Sequence, residues 1–485
     1  MAREKSAPFL PLILCFLLIQ LGFTGEASRS GEKEALSLQS FQWQRKNRIA
    51  SCSSQKSRQE NGATILEMQP KDYCSGTITG WKEFFQKRLI SDDIRVRALQ
   101  SRLRNLASAG IQQDLSQSQT QIPLNSGIKL QTLNYIVTVE LGGRNMTLIV
   151  DTGSDLTWVQ CQPCSLCYNQ LDPLFDPSKS GSYHSVPCNS PSCQSLQFAT
   201  GNSGVCGGGK PLTTCNYLVS YGDGSYTRGE LAQDNLRLGA NPVEGFVFGC
   251  GRNNKGLFGG ASGLMGLGKS DLSMVSQTSR LFGAVFSYCL PSTEAGTSGS
   301  LVFGGDYSVY KNSTPVTFTR MVPNPQLSTF YFLNLTGVSI GGVVLEVPSF
   351  GNGVGVLIDS GTVITRLAPS LYRTLKAEFL KQFSGFLTAP AFSILDTCFD
   401  LSRYQEVNIP TVSMHFEGDS ELNVDVNGIF YFVKGDASQV CLALASLSYE
   451  DEIPIIGNYQ QRNTRVVYDT KGSKLGFAKE SCSFT

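Results

Sequence analysis

Short apolar runs, many alternating with polar residues and separated by Gly, Asn, Asp and Pro, recur from about residue 134 to the end of the chain. Alternation at period two, bounded by turn formers, predicts half-buried strands, so this body is read as mostly β. The run 135–142, the turn Gly142-Gly143-Arg144-Asn145 and a second run at 146–150 form one pair of strands. A second pair has the same layout: 331–338, a turn at Gly341-Gly342, then 355–358. Downstream of each pair stand two apolar residues and a glycine, Leu264-Met265-Gly266 and Ile455-Ile456-Gly457. The repeat spans about half of the body, which predicts a duplicated lobe and not a solenoid.

Ahead of this body the pattern changes twice. An apolar run from Phe9 to Phe23 follows Arg3 and Lys5 and precedes Gly25-Glu26-Ala27, so residues 1–27 read as a signal peptide. The run contains Pro11 and Gln20 and is short for a membrane span, and the C-terminal KLGFAKESCSFT has no hydrophobic tail for a lipid anchor. A secreted chain without a stable membrane anchor is expected, in the extracellular space or, failing that, a vacuolar or other lumenal compartment. Residues 28–122 are polar and poor in β-branched side chains. From Trp81 to Leu106 the apolar positions have helical spacing, and between Lys82 and Arg104 seven Lys/Arg stand against three Asp/Glu. The Gln/Ser-rich stretch 112–121 reads as an exposed, cleavable linker. The expected organisation is a signal peptide (1–27), a propeptide (28–122), one lobe at 123–310 with a cysteine-rich insertion at 161–215, and a second lobe at 311–485.

Each strand pair ends in the same chemistry. Leu148-Ile149-Val150 leads into Asp151-Thr152-Gly153-Ser154, and Val356-Leu357-Ile358 leads into Asp359-Ser360-Gly361-Thr362. One such tetrapeptide is explicable as a chance turn; two, at equivalent places, predict a pair of carboxylates sharing one proton. Like charges at hydrogen-bond distance do not both ionise easily, so one remains an acid while the other is a base. Such a pair activates water without a metal or cofactor. The composition excludes rival chemistries. His184 and His415 are the only histidines, no HExxH or Gly-x-Ser-x-Gly occurs, and His415 sits in an apolar, strand-like stretch while His184 reads as a loop residue. Forty basic against 39 acidic residues give no electrostatic reason to expect nucleic acid or an anionic membrane.

These motifs together resemble the pepsin-type aspartic proteases, in particular the plant nepenthesin-like and nucellin-like group, from about residue 134 to the end. The resemblance implies a bilobal β fold with the active-site cleft between two related lobes, and hydrolysis of peptide bonds by Asp151 and Asp359. It implies that Thr152 and Ser360 cross-brace the two loops, that Gly153 and Gly361 belong to them, and that Ser154 and Thr362 bond the outer carboxylate oxygens. Serine at 360 replaces the threonine of pepsin and keeps the hydroxyl. Tyr221-Gly222-Asp223-Gly224-Ser225 matches the family's mobile hairpin, with Tyr221 and Gly222 over the substrate and Trp158 donating to the phenol. Protein or peptide substrates, pepstatin-type inhibitors, a monomer and no cofactor are the partners implied. A basic helical propeptide ahead of acidic groups is expected to pair its cations with those carboxylates.

Without Cys15, Cys52 and Cys74, twelve cysteines remain in the body, an even number that behind a signal peptide predicts six disulfides and not a zinc site at Cys161-x-x-Cys164-x-x-Cys167. The resemblance implies Cys398–Cys441 and Cys289–Cys482; spacing leaves the other pairs open. Asn145, Asn312 and Asn334 head N-glycosylation sequons. The competing expectation is a binding or inhibitor protein of the plant cell wall on the same fold, with weak or no catalysis. A cysteine-rich structural wall protein is a third, which leaves the duplicated aspartates unexplained.

Overall fold

The computed structural model describes residues 31–38, 56–70, 81–109 and 135–484, apart from 207–213, 222–223, 257, 293–297, 311–312, 326 and 348–354. The signal peptide, the linker at 112–121, Cys52, Cys74, Gly222 and Asn312 therefore lie outside the described residues.

Strands dominate, and the two halves repeat one motif. In the first, Tyr135–Leu141 pairs antiparallel with Arg144–Asp151, which in turn runs parallel to Gly263–Gly266. In the second, Phe332–Leu333 pairs antiparallel with Val356–Ile358, which runs parallel to Ile455–Ile456. Gly142 and Gly143, and their counterparts Gly341 and Gly342, all have positive φ, the conformation that a two-residue hairpin turn demands. A broad sheet joins the halves. Val285–Cys289 lies between Gly299–Phe303 and Thr464–Asp469, and the sheet continues through Lys474–Lys479 to Thr317–Val322. Its inner face carries Phe286, Tyr288, Leu301, Val466 and Tyr468 in one apolar core with Val150, Met265 and Ile358.

One expectation needs correction. The run 331–338 is not one strand: after Phe332–Leu333 the chain breaks at exposed Asn334, and Leu335–Ile340 enters another sheet, between Val343–Glu346 and Val412–Phe416. A register shift between Leu335 and Gly337 marks the turn-off. In the 28–122 region, strands precede the expected helix. Ala63–Pro70 adds to the joining sheet beside Gly299–Phe303 and reaches Tyr135–Leu141, while Lys33–Ser37 pairs with Glu406–Pro410. Ile65, Leu66 and Met68 are at most 2% exposed, so this strand belongs to the core.

The expected helix runs from Trp81 to Ala109. Leu89 packs with Val363, Ile364 and Tyr431, and Val96, Leu99 and Leu103 pack on Leu327, Phe330, Phe332 and Ile455. These positions recur at the three- and four-residue spacing of one helix face. Gln100 fixes the far turn, donating to Ile453 O at 2.6 Å and accepting from Ile453 N at 3.0 Å.

Candidate active site

Equivalent strands deliver equivalent aspartates. The backbone carbonyl of Asp151 accepts from Leu267 N at 2.9 Å, and Asp359 N donates to Ile456 O at 3.1 Å, so each loop is tied to the apolar-apolar-Gly element of its own half. The carboxylates are bonded alike. Gly153 N donates to Asp151 Oδ1 at 3.1 Å and Ser154 Oγ to Oδ2 at 2.7 Å; Gly361 N donates to Asp359 Oδ1 at 2.8 Å and Thr362 Oγ1 to Oδ2 at 2.6 Å. Between the loops, Thr152 N donates to Ser360 Oγ at 3.1 Å and Ser360 N to Thr152 Oγ1 at 2.9 Å. The glycines are needed for space. A Cβ on Gly153 would stand 2.7 Å from Asp359 Oδ1, and one on Gly361 would collide with Asp151 Oδ1.

Asp151 and Asp359 are 1% and 0% exposed, and one guanidinium spans them: Arg95 Nη2 lies 2.8 Å from Asp151 Oδ1 and 3.0 Å from Asp359 Oδ2. Burial raises Asp151, and the charge of Asp359 adds to it, against the pull of Arg95; the carboxyl ends above the ordinary aspartate value. Asp359 feels the same burial, but Arg95, Thr362 and the Gly361 N–H outweigh it and hold the group below that value. With Arg95 seated, the two carboxyl groups are thus driven in opposite directions; acid–base chemistry on water requires one such group protonated and its partner ionised.

Beside this pair a cavity of about 510 Å³ is lined by Leu99, Asp151, Leu156, Ala199, Val219 and Tyr221, among others. Tyr221 stands at the tip of the hairpin formed by Cys215–Ser220 and Tyr226–Leu238, closed by Tyr221 N to Ser225 O at 2.8 Å. Trp158, fully buried, donates from Nε1 to Tyr221 Oη at 2.7 Å, and both rings meet Phe258 edge-on. Burial, reinforced by the charge of Asp151, pushes the Tyr221 phenol up, so it stays neutral.

The insertion shapes this cavity too. Helix Pro191–Thr200 starts at Ser190, whose Oγ accepts from Cys193 N, and stops at Gly201 with φ +78°. Cys193–Cys215 ties it to the hairpin strand, so that Ala199, Thr200 and Gly201 line the wall of the cavity. Nothing local in the sequence marks those residues. Arg95 was visible only as one of several cations on a basic helix.

All twelve cysteines of the body pair: Cys161–Cys250, Cys164–Cys167, Cys188–Cys206, Cys193–Cys215, Cys289–Cys482 and Cys398–Cys441. The Cys161-x-x-Cys164-x-x-Cys167 run is therefore split between two disulfides and holds no free thiolate. His415 lies on strand Val412–Phe416, bonded to Ser339 Oγ at 2.9 Å and Glu421 Oε1 at 3.0 Å, in a sheet that does not carry the paired aspartates. Asn145 and Asn334 are both exposed.

Two related β lobes, each presenting an aspartate loop to the other, define the class of pepsin-like proteins. Family models described as xylanase inhibitor N-terminal and C-terminal match residues 135–305 and 330–479. An aspartyl protease family protein of Arabidopsis thaliana is 44% identical over 398 residues, 81% of each chain. Aspartic proteinase nepenthesin-1 of Nepenthes gracilis is 35% identical over 72% of this chain and 78% of its own. The crystal structure of basic 7S globulin from soybean, 19% identical, matches with a TM-score of 0.58 over 73% of this chain and 96% of that one. The chain belongs to the plant branch of the pepsin-like aspartic protease family.

Proposed function

We propose that this chain is the latent precursor of a secreted aspartic endopeptidase. The observation that carries the reading is the pair Asp151 and Asp359, buried at the ends of equivalent strands, identically hydrogen-bonded and bridged by a cation of the preceding segment. In the mature enzyme a water molecule sits between the carboxylates in place of the Arg95 guanidinium. One carboxylate takes the water's proton as its oxygen attacks the scissile carbonyl, while the protonated partner gives its proton to the carbonyl oxygen. The tetrahedral diol then collapses, a proton passes to the leaving nitrogen, and the C–N bond breaks. Tyr221 closes over the peptide and shields the pair from bulk water. Residues 28–122 are the prosegment, with the helix Trp81–Ala109 over the cleft, and exposed Asn145 and Asn334 are glycosylation sites.

A second reading, a binding protein without catalysis, draws on the xylanase inhibitor description of the matching models and on the globulin that shares the fold. The same experiment separates them. Asp151→Asn and Asp359→Asn should each lower peptide cleavage by the mature form on the order of a thousandfold while the melting temperature stays within a few degrees. Cleavage at the wild-type rate by either folded variant refutes the mechanism, and a wild-type mature form that cleaves no peptide favours the binding protein.

A further inference from the structure

Beyond Thr362 the chain continues through Val363, Ile364, Thr365 and Arg366, and three of these, Val363, Ile364 and Arg366, grip the prosegment helix at a second point. Asp92 precedes Arg95 by one turn on the same helix face and is 1% exposed. Its Oδ1 accepts from Val363 N at 2.6 Å. Its Oδ2 accepts from Ile364 N at 3.1 Å and from Arg366 Nη2 at 2.9 Å. Arg366, also 1% exposed, is oriented by its own Nη1, which donates to Ile364 O at 2.8 Å. Two amide N–H groups and a buried guanidinium thus converge on one carboxylate, a donor set suited to a planar anion. A buried guanidinium without an anion is costly, and here the anion sits on the segment that leaves.

We propose that, once Asp92 is gone, Val363 N–H, Ile364 N–H and Arg366 form a substrate subsite for a side-chain carboxylate, so that the mature enzyme prefers Glu or Asp at one position near the scissile bond. The inference rests on the reading of residues 81–109 as a removable prosegment over a working pair of aspartates. Asp92 enters the subsite from a chain that continues in both directions, as an internal residue of a substrate does. Successive helical turns lie about 5 Å apart, the length of roughly two extended residues, so the preferred acid falls within about three residues of the cut. The catalytic carboxylates repel an acidic substrate, which makes Arg366 the source of any such preference.

The test uses the mature enzyme and C-terminally amidated peptides, identical except for Glu or Gln at each of three positions on either side of the scissile bond. They otherwise lack carboxylates, and the pH is held near 5.5, above the ordinary glutamate value of about 4.3. At one position kcat/KM for the Glu peptide should exceed that for the Gln peptide by about tenfold or more, the expected effect of hydrogen bonds to a charged group. Arg366→Gln should bring that ratio close to one, and Arg366→Lys should restore part of it. Ratios within twofold at every position in the wild type overturn the proposal and need no variant to fold. A preference that survives unchanged in folded Arg366→Gln also overturns it. Failure of the wild type to cut any of the peptides would instead overturn the protease reading, and this one with it.

Discussion

Replacing Arg95 by glutamine removes the cation that holds the helix Trp81–Ala109, the proposed prosegment helix, on the paired aspartates. Its Nη2 lies 2.8 Å from Asp151 and 3.0 Å from Asp359, with the side chain 21% exposed. Hydrogen bonds between charged partners contribute about 1.5–3 kcal/mol each, so two contribute about 3–6 kcal/mol. Part of this returns when the freed carboxylates share a proton and no longer stand as two charges. The lower end, about 3 kcal/mol, corresponds to docking weakened roughly a hundredfold. The apolar face of the helix remains: Leu89, Val96, Leu99 and Leu103 are at most 9% exposed. At about 1.5–3 kcal/mol per buried side chain these exceed the lost ion pairs. The Arg95→Gln precursor should therefore keep its helix seated in most molecules while the open fraction rises about a hundredfold. The assay compares full-length wild-type and Arg95→Gln precursors near pH 7, recording peptide cleavage and pepstatin binding before any processing is visible on a gel. If Arg95→Gln is as latent as the wild type while its mature form cuts the peptide normally, Arg95 does not hold the enzyme closed.

Acid is expected to release the prosegment. Asp359, held below its ordinary value while Arg95 is seated, supports docking above the ordinary aspartate range of about pH 4, and that support is lost as pH falls through its lowered value. Asp92 and Asp151 act in the opposite sense: burial raises both, so their cost to docking fades as they protonate, and release follows Asp359. Gel filtration and activity across pH test this; a precursor fully open at pH 7 and closed in acid refutes it. Tyr221→Ala should lower kcat/KM by on the order of tenfold or more with little change in melting temperature, because the side chain is half-buried at a hairpin tip. Trp158→Ala, which empties a fully buried site, should cost about 3–5 kcal/mol of stability as well as activity. Early unfolding of Tyr221→Ala with normal turnover would make that residue core packing.

The features legible in the sequence are those whose physics is local. An aspartate followed by a hydroxyl, a glycine and another hydroxyl carries most of its own hydrogen-bond partners, so the loops of Asp151 and Asp359 are visible without the fold. The helix at Trp81–Ala109 is likewise visible in its spacing. What escapes is contact between distant segments. Ala63–Pro70 is a short apolar stretch in a polar region, and it becomes a core strand only because Gly299–Phe303 lies beside it. Asp92 and Arg366 are 274 residues apart, and no spacing rule links them. Asn334 interrupts an apolar run that alternation alone would continue, because the chain changes sheets there.

If residues 28–122 are a removable prosegment, as proposed, the strand Ala63–Pro70 separates cutting from activation. On the proposed reading, a break in the linker at 112–121 does not by itself detach the prosegment, because this strand keeps five residues in register with Gly299–Phe303 and buries Ile65, Leu66 and Met68. Burial of those three side chains alone contributes about 5–9 kcal/mol, and withdrawing the strand leaves a row of unpaired backbone groups on its neighbour. The nicked molecule would thus persist as a two-chain complex, with the severed piece acting as its own tight inhibitor. Activity would then lag behind the disappearance of the full-length band, by a time set by how fast a strand peels from the sheet and not by how fast the linker is cut.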